Sequence, residues 1–253
     1  MKKITIIIID ILIIIFTFMF IKDIYIQLKD YVSQKNIVDE LDISNSNTRL
    51  DEDSTSDKKE NNESEIKNEL TDKYDKLKEE NSDYRFWIDI ENTNINYPVV
   101  QGSDNEFYLN KDFKKNKNIF GSIFEDAKTD FDKDFNTLIY GHNTKLYNML
   151  TNITKYKEKE FFNKNNKIKI VDRDTEYMFE VFSVYTMRGF DDPTYLYDLN
   201  NKENRSDILK NIQDKSFYKV NSDKNIEKMI TLITCSYEEE NTRTVVHGKL
   251  ISD

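Results

Sequence analysis

The hydrophobic pattern divides the chain into an apolar start, a polar middle and a long alternating remainder. Residues 4–21 are almost all apolar, with one interruption at Asp10. A helix needs about 20 such residues to cross a bilayer, and no small-residue cleavage site follows the run. The pattern therefore predicts an uncleaved transmembrane anchor over residues 4–21. Lys2 and Lys3 precede it, which favours a cytoplasmic tip at residues 1–3 and an external location for the rest.

Residues 22–80 are predicted to be a polar, acidic linker that ends in a helix. Residues 44–64 contain almost no apolar side chain, which is typical of a solvated segment. A stripe of apolar residues then recurs at helical spacing, at Ile66, Leu70, Tyr74 and Leu77. This stripe predicts a short helix that packs on the following domain.

Residues 81–253 have the pattern of one mainly β domain. Short runs rich in β-branched and aromatic residues alternate with polar turns, as in INYPVV, NTLIYG, KIKIV, KMITLITC and TRTVVHGKLI. Many short strands with few long helices are typical of a barrel or a sandwich. Two segments, residues 145–156 and 204–213, have a helical pattern instead.

Charge and cysteine content narrow the possible functions. The formal net charge of -10 makes nucleic acid an improbable partner, because phosphate binding needs a basic surface. Cys235 is the single cysteine, so the domain has no internal disulfide. A free cysteine is often only a small buried side chain, and its sequence neighbours must decide whether it reacts.

Three residues that could carry cysteine chemistry lie at predicted strand ends. Cys235 closes KMITLITC, His142 follows LIYG, and Arg243 opens the next strand. A cysteine nucleophile needs a proton carrier and a group that stabilises an oxyanion. These three residues could supply all of these functions, although the combination alone is not specific.

The motifs around these residues resemble those of sortases. TLITC, ending at Cys235, fits the TLxTC signature of that family, and YGHN fits the segment around its catalytic histidine. Arg243 occupies the place of the catalytic arginine. NINYPVVQG, FYLNKDF and GSIFED are similar to class B members, which also carry an extra helix where residues 204–213 lie. Ile233 departs from the small polar residue common at that class B position.

The resemblance implies a fold and an activity. The expected fold is mainly β: a closed sortase-type barrel of about eight strands with an N-terminal helix and an extra helix before the Cys235 strand. The implied enzyme is a membrane-anchored transpeptidase. It cleaves an NPxTN-like or related C-terminal sorting signal after Thr through a thioacyl intermediate. It then transfers the surface protein to an amine of peptidoglycan or of its lipid-linked precursor.

The resemblance also assigns roles to single residues. Cys235 is the nucleophile, His142 the acid and base, and Arg243 the oxyanion or backbone ligand, with the Ser236 backbone N–H as a second donor. Substrate-binding positions that match the class B groove, or lie within the signature, are Asn105, Leu109, Tyr140, Tyr195, Leu196 and Thr234. For the groove positions, the alternative is ordinary packing in the barrel. No metal or cofactor is expected.

Other interpretations remain open from the sequence alone. The same residues would serve a hydrolytic cysteine peptidase, and an anchored domain without catalysis would only display a binding face. His247 lies four residues after Arg243, so both point to one face of a strand. It could therefore compete with His142 as the partner of Cys235, although a structural or surface role is favoured.

Overall fold

Eight strands form a closed barrel. In this computed structural model, residues 2–41, 56–144, 147, 149–188, 193–220, 226–236 and 242–252 are described. The strands are β1 (Tyr84–Ile90), β2 (Ile95–Val100), β3 (Ile123–Glu125), β4 (Asn136–Tyr140), β5 (Lys167–Asp172), β6 (Thr175–Arg188), β7 (Met229–Ser236) and β8 (Thr242–Ser252). Their order is β1-β2-β3-β4-β7-β8-β6-β5, and pairing of β1 with β5 closes the barrel. The predicted mainly β barrel is confirmed.

Helices cover the barrel or precede it. They are α1 (Lys2–Leu41), α2 (Ser56–Glu80), α3 (Lys159–Lys164) and α4 (Lys202–Lys215), with 3-10 helices at Phe107–Asn110, Thr151–Lys157 and Pro193–Asn200. The helix predicted over residues 204–213 is therefore α4, and the Asn201 side chain caps it by accepting from the Glu203 N–H. Of the helix predicted over residues 145–156, residues 145, 146 and 148 lie outside the described part, and the rest is mostly 3-10 helix.

Three apolar clusters explain why several strands read as continuous apolar runs. The first fills the barrel and includes Phe86, Ile139 and Leu232. The second lies between the wall and α2, and the third lies under α4 and the last 3-10 helix. Strands covered on both faces show little alternation between apolar and polar residues, in contrast to strands with one solvated face.

Strand β3 begins late in the largely apolar run NIFGSIF, residues 118–124. Gly121 has φ +60, and a Cβ there would lie 2.6 Å from the carbonyl oxygen of Tyr108. Such a backbone favours glycine. The chain therefore turns at Gly121, directly against the segment of residues 108–110, and the strand begins only at Ile123.

The first helix is longer than its apolar run. It is long and apolar enough to cross a membrane, yet it continues through Leu41 without a break. Asp30, Gln34, Ile37 and Leu41 are buried and recur at helical spacing. The helix therefore extends into the segment expected to be linker because one face of its second half packs on the barrel. In α2, Leu70 and Leu77 are buried as the helical stripe predicts.

Candidate active site

Strand pairing brings the three predicted catalytic positions to one rim of the barrel. On one side, β7 runs parallel to β4, with Ile233 the partner of Tyr140. On the other side, β7 is antiparallel to β8, with Cys235 the partner of Arg243. His142 and Cys235 each lie two residues beyond the registered pair Tyr140 and Ile233. Neighbouring strands are about 4.8 Å apart, so the backbone of Cys235 lies between the other two positions; its side chain is outside the described residues.

The loop that carries His142 is fixed to the end of β7. The Gly141 N–H donates to the Ile233 carbonyl at 3.3 Å, and the Thr234 hydroxyl donates to the Gly141 carbonyl at 2.6 Å. A Cβ on Gly141 would lie 2.7 Å from Cγ of Leu150. The glycine therefore allows the Leu150 side chain to pack closely against the backbone at residue 141. Thr234, a predicted substrate residue, has its hydroxyl committed to this bond.

A hydrogen bond orients the imidazole of His142. Its Nε2 lies 2.7 Å from the carbonyl oxygen of Leu109. A carbonyl cannot donate, so Nε2 carries the hydrogen and donates. In this tautomer Nδ1 carries no hydrogen. The contact therefore fixes the orientation of the half-buried ring and leaves Nδ1 as the nitrogen suited to accept a proton, as a general base must.

A cavity of about 360 Å³ lies beside these residues. Arg243 is half-buried and contributes the positive charge of the lining, and Ile233 and Phe124 contribute apolar walls. The full lining is Asn105, Leu109, Phe124, Tyr140, Gly141, His142, Ile233, Thr234 and Arg243. A mostly apolar cleft with a few convergent polar groups is typical of a peptide or small-molecule site.

Four of the six predicted substrate residues line this cavity, and two do not. Asn105, Leu109, Tyr140 and Thr234 are in the lining described above. Leu196 is fully buried in the cluster under α4. Tyr195 bonds the hydroxyl of Tyr185 at 2.6 Å and faces the ammonium of Lys215. In this structure both residues support the 3-10 helix that flanks the cleft.

A buried carboxylate that the sequence analysis did not identify organises the cleft. Asp126 is fully buried. Its Oδ2 accepts from Nδ2 of Asn105 at 2.8 Å and from the hydroxyl of Tyr197 at 2.6 Å. It also bonds Tyr140, and burial, followed by the charge of Asp126, raises the pKa of that phenol. The GSIFED motif contains this residue, but only its three-dimensional contacts reveal the role.

His247 shares a sheet face with Arg243 but lies under α4. It is fully buried; its Nδ1 is 2.9 Å from the Thr231 hydroxyl and its Nε2 is 3.1 Å from the Tyr185 hydroxyl. Thr231 donates its hydrogen to Asn136, so Nδ1–H of His247 must donate to Thr231. Burial, reinforced by the charge of Lys215, lowers the pKa of His247 to about 3. His247 is therefore a neutral structural residue and does not compete with His142.

Comparisons with known proteins agree with this arrangement. The family model described as the Sortase domain matches residues 88–251. Sortase B of Listeria monocytogenes serovar 1/2a is 35% identical over 197 residues, 74% of this chain and 76% of that protein. A mutant form of Clostridium perfringens sortase B superposes with a TM-score of 0.68 at 34% identity, covering 79% of this chain and 100% of that one. The Staphylococcus aureus sortase B–substrate complex superposes with a TM-score of 0.66 at 28% identity, covering 79% of this chain and 99% of that one.

Proposed function

The chain belongs to the sortase family of cysteine transpeptidases, in class B, and on this premise we propose that it anchors surface proteins to the cell wall. The proposed substrate is a protein with a C-terminal NPxTN-like or related sorting signal. The proposed acceptor is an amine of peptidoglycan or of its lipid-linked precursor. The observation that carries the proposal is the strand register that brings His142, Cys235 and Arg243 to one rim beside one cleft.

The proposed first half-reaction is acyl transfer to Cys235. The Cys235 thiol gives its proton to Nδ1 of His142, the resulting thiolate attacks the carbonyl carbon of the substrate Thr, and the carbonyl oxygen becomes an oxyanion. Arg243 and the backbone N–H of Ser236 stabilise that charge, and a single donor of this kind is worth about 3 kcal/mol. The C–N bond then breaks, the leaving amine takes the proton from Nδ1 of His142, and a thioester remains on Cys235.

The second half-reaction transfers the acyl group to the acceptor. The incoming amine attacks the thioester carbon and gives its proton to Nδ1 of His142. The C–S bond breaks, the thiolate of Cys235 is regenerated, and a new amide joins the surface protein to the wall. Because His142 gives a proton in the first step and takes one in the second, one residue serves both steps.

The cleft offers complementary surfaces for a short extended peptide. Leu109 and Ile233 present apolar groups, whereas Asn105 presents an amide. We assign Asn105, Leu109, Tyr140 and Thr234 to the cleft itself, and Tyr195 and Leu196 to its supporting flank. The apolar Ile233 replaces the small polar residue common in class B, so the wall beside Cys235 favours an apolar substrate contact.

The proposed location is the outer face of the cell membrane. Residues 4–21 would span the bilayer, with Lys2 and Lys3 in the cytoplasm and the barrel outside. The finding that supports an anchor is a continuous helix in which residues 4–21 are exposed and almost all apolar. Residues 22–80 would connect the anchor to the catalytic domain, residues 81–253.

The test uses the full chain in detergent micelles and fluorescence-quenched pentapeptides of the NPxTN and xPxTG forms, each with and without an amine acceptor. We expect cleavage of at least one form, a ligated product when the amine is present, and neither product with Cys235→Ala. Cleavage that never yields a ligated product would identify a hydrolytic peptidase instead. Absence of both products with every peptide would contradict the proposal.

A further inference from the structure

The second half of α1 touches both segments that meet at His142. The first is the segment of residues 107–122, whose Leu109 carbonyl accepts from Nε2 of His142. The second is the loop after β4, described at residues 141–144, 147, 149 and 150, which carries His142 itself. We propose that the docked part of α1, through Asp30 and Tyr31, positions the His142 imidazole and so ties the catalytic geometry to the membrane anchor. This inference rests on the proposed function, because it requires His142 to act in the reaction.

Asp30 forms the contact with the first segment. The residue is buried, its Oδ2 accepts from the Ile119 N–H at 3.0 Å, and its carbonyl accepts from Nδ2 of Asn118 at 3.1 Å. The side-chain oxygen of Asn118 accepts from the Phe120 N–H at 2.9 Å. The turn of residues 118–120 is therefore held by α1 from one side.

The same turn is held from the other side by the backbone that orients His142. The Asn118 N–H donates to the Asn110 carbonyl at 3.0 Å, and the Ser122 N–H donates to the Tyr108 carbonyl at 3.0 Å. Gly121 lies so close that a Cβ would be 2.7 Å from the carbonyl oxygen of Leu109. That oxygen is the acceptor for His142. Asp30 is thus linked to the imidazole through one packed turn.

Tyr31 and Gln34 form the contact with the second segment. The ring of Tyr31 meets the ring of Tyr147 edge-on, with centroids 5.6 Å apart. The amide of Gln34 reaches the sulfur of Met149 at 4.0 Å. Next to Met149, the Leu150 N–H donates to the carbonyl of His142 at 3.1 Å. The backbone and the ring of His142 are therefore each fixed by a segment that α1 contacts.

The helix can transmit the position of the anchor because nothing interrupts it. No Gly or Pro occurs between Lys2 and Leu41, and kinks almost always need such a residue or an inserted group. Asp30 lies nine residues beyond the end of the apolar run at Ile21. At 1.5 Å per residue the docking point is roughly 13 Å from the end of the anchor. This short rigid spacer would hold the rim of the barrel near the membrane.

The test compares variants of the full chain in detergent micelles. Asp30→Ala removes the acceptor for the Ile119 N–H, whereas Asp30→Asn keeps a side-chain oxygen there. Tyr31→Ala removes the second contact, and Tyr31 is exposed enough for the fold to tolerate the change. Glu40→Gln is the matched control, because Glu40 also joins α1 to the first segment, but through an exposed ion pair with Lys114, and such pairs contribute little.

Kinetics and the two histidines provide the readout. We expect Asp30→Ala and Tyr31→Ala to lower kcat about tenfold with KM nearly unchanged, because a small displacement of a catalytic group is costly. Asp30→Asn and Glu40→Gln should match the wild type. In ¹⁵N-histidine NMR spectra the ring signals of His142 should shift, while those of His247, the other histidine of the chain, stay in place.

Three outcomes would overturn the inference. The first is wild-type kcat in both alanine variants. The second is a shift of the His247 signals together with those of His142, which would indicate general loss of structure. The third is failure of Asp30→Asn to restore activity. An inactive wild-type chain would instead overturn the proposed function, so the two failures are distinguishable.

Discussion

Cys235 on β7 and Arg243 on β8 are Cα partners in an antiparallel ladder. The pairing fixes the guanidinium-bearing residue at the same level of the barrel wall as the proposed nucleophile. Only a short connection lies between the two strands, so the eight-residue spacing of Cys235 and Arg243 already predicts that they lie side by side. In the proposed mechanism, the ladder would hold the Arg243 cation beside the oxyanion.

We predict that Arg243→Lys lowers kcat/KM by about 10²-fold. Lysine keeps the charge but lacks the planar set of donors that can bind an oxyanion and a peptide oxygen together. The measurement is steady-state cleavage of the best peptide, with Arg173→Lys in the turn after β5 as the control. Equal losses in both variants, or no loss at Arg243, would contradict the assigned role.

We predict that Asp126→Ala impairs substrate binding more than chemistry. The carboxylate holds Asn105, Tyr140 and Tyr197 around the cleft, whereas the ring of His142 is held by Leu109. KM should rise about tenfold or more, with a smaller change in kcat, since misplaced binding groups weaken ground-state and transition-state binding alike. Asp126→Asn keeps one acceptor oxygen, so its KM should lie between that of the wild type and that of Asp126→Ala. A loss confined to kcat would show that Asp126 acts on the catalytic residues instead.

We predict that His247 destabilises the fold in acid. Its pKa is lowered to about 3 in the folded protein, against about 6.5 when unfolded. The unfolded chain therefore binds the proton first, so stability is lost as the pH falls from 6.5 towards 3, by up to roughly 4 kcal/mol. Urea unfolding followed by the fluorescence of the single tryptophan, buried Trp87, measures the effect. His247→Asn should be less stable at pH 7 but lose less on acidification; a parallel loss in both proteins would contradict the prediction.

We predict that Glu125 lowers the stability of the fold as the pH rises, which is the opposite trend to that of His247. Burial raises its pKa to about 7, and the ion pair with Arg85 at 3.0 Å offsets this only in part. A raised folded pKa gives stability that is present at low pH and lost as the pH rises through 7. Between pH 5 and pH 8 we expect a loss of about 2 kcal/mol that Glu125→Gln reduces. Asp172, with its pKa raised to about 6, contributes a similar trend in both proteins.

The matched control for Glu125→Gln is Glu176→Gln. Glu176 is exposed and lies 3.7 Å from Lys169, and ion pairs of this kind contribute little. The pH dependence of its unfolding free energy should equal that of the wild type. A flattened profile in the control, or an unchanged one in Glu125→Gln, would show that another group is responsible.

The sequence was sufficient where function depends on order along the chain. Cys235, His142 and Arg243 lie in local motifs, and the parallel register of β4 with β7 then brings these motifs together. The helical period of residues 204–213 predicted α4 because its apolar residues contact the barrel through one face. Motifs and periodicities of this kind involve residues close together in the sequence, so they can be recognised without knowledge of the fold.

The sequence was insufficient where the role depends on distant contacts. Asp126 could be any surface acid until Asn105 and Tyr197 are seen to converge on it. The strand position of His247 is that of a possible catalytic residue. Its burial follows from packing near α4, which the sequence pattern of β8 does not contain. Likewise, the polar residues after Ile21 hide the docking of α1, because Asp30 and Gln34 replace apolar residues at the buried positions of the helix.

In the proposed mechanism, Cys235 carries the acyl group between a sorting signal and an amine. This step is measured by intact-protein mass spectrometry of the full chain. The protein is mixed with the intact pentapeptide that it cleaves best and is quenched in acid, before and after addition of the amine. We predict a mass increase equal to the acyl fragment, located on Cys235 and absent from Cys235→Ala, which disappears as the ligated peptide forms. Ligation by Cys235→Ala, or turnover in which the acyl group is located on another residue, would contradict the proposed mechanism.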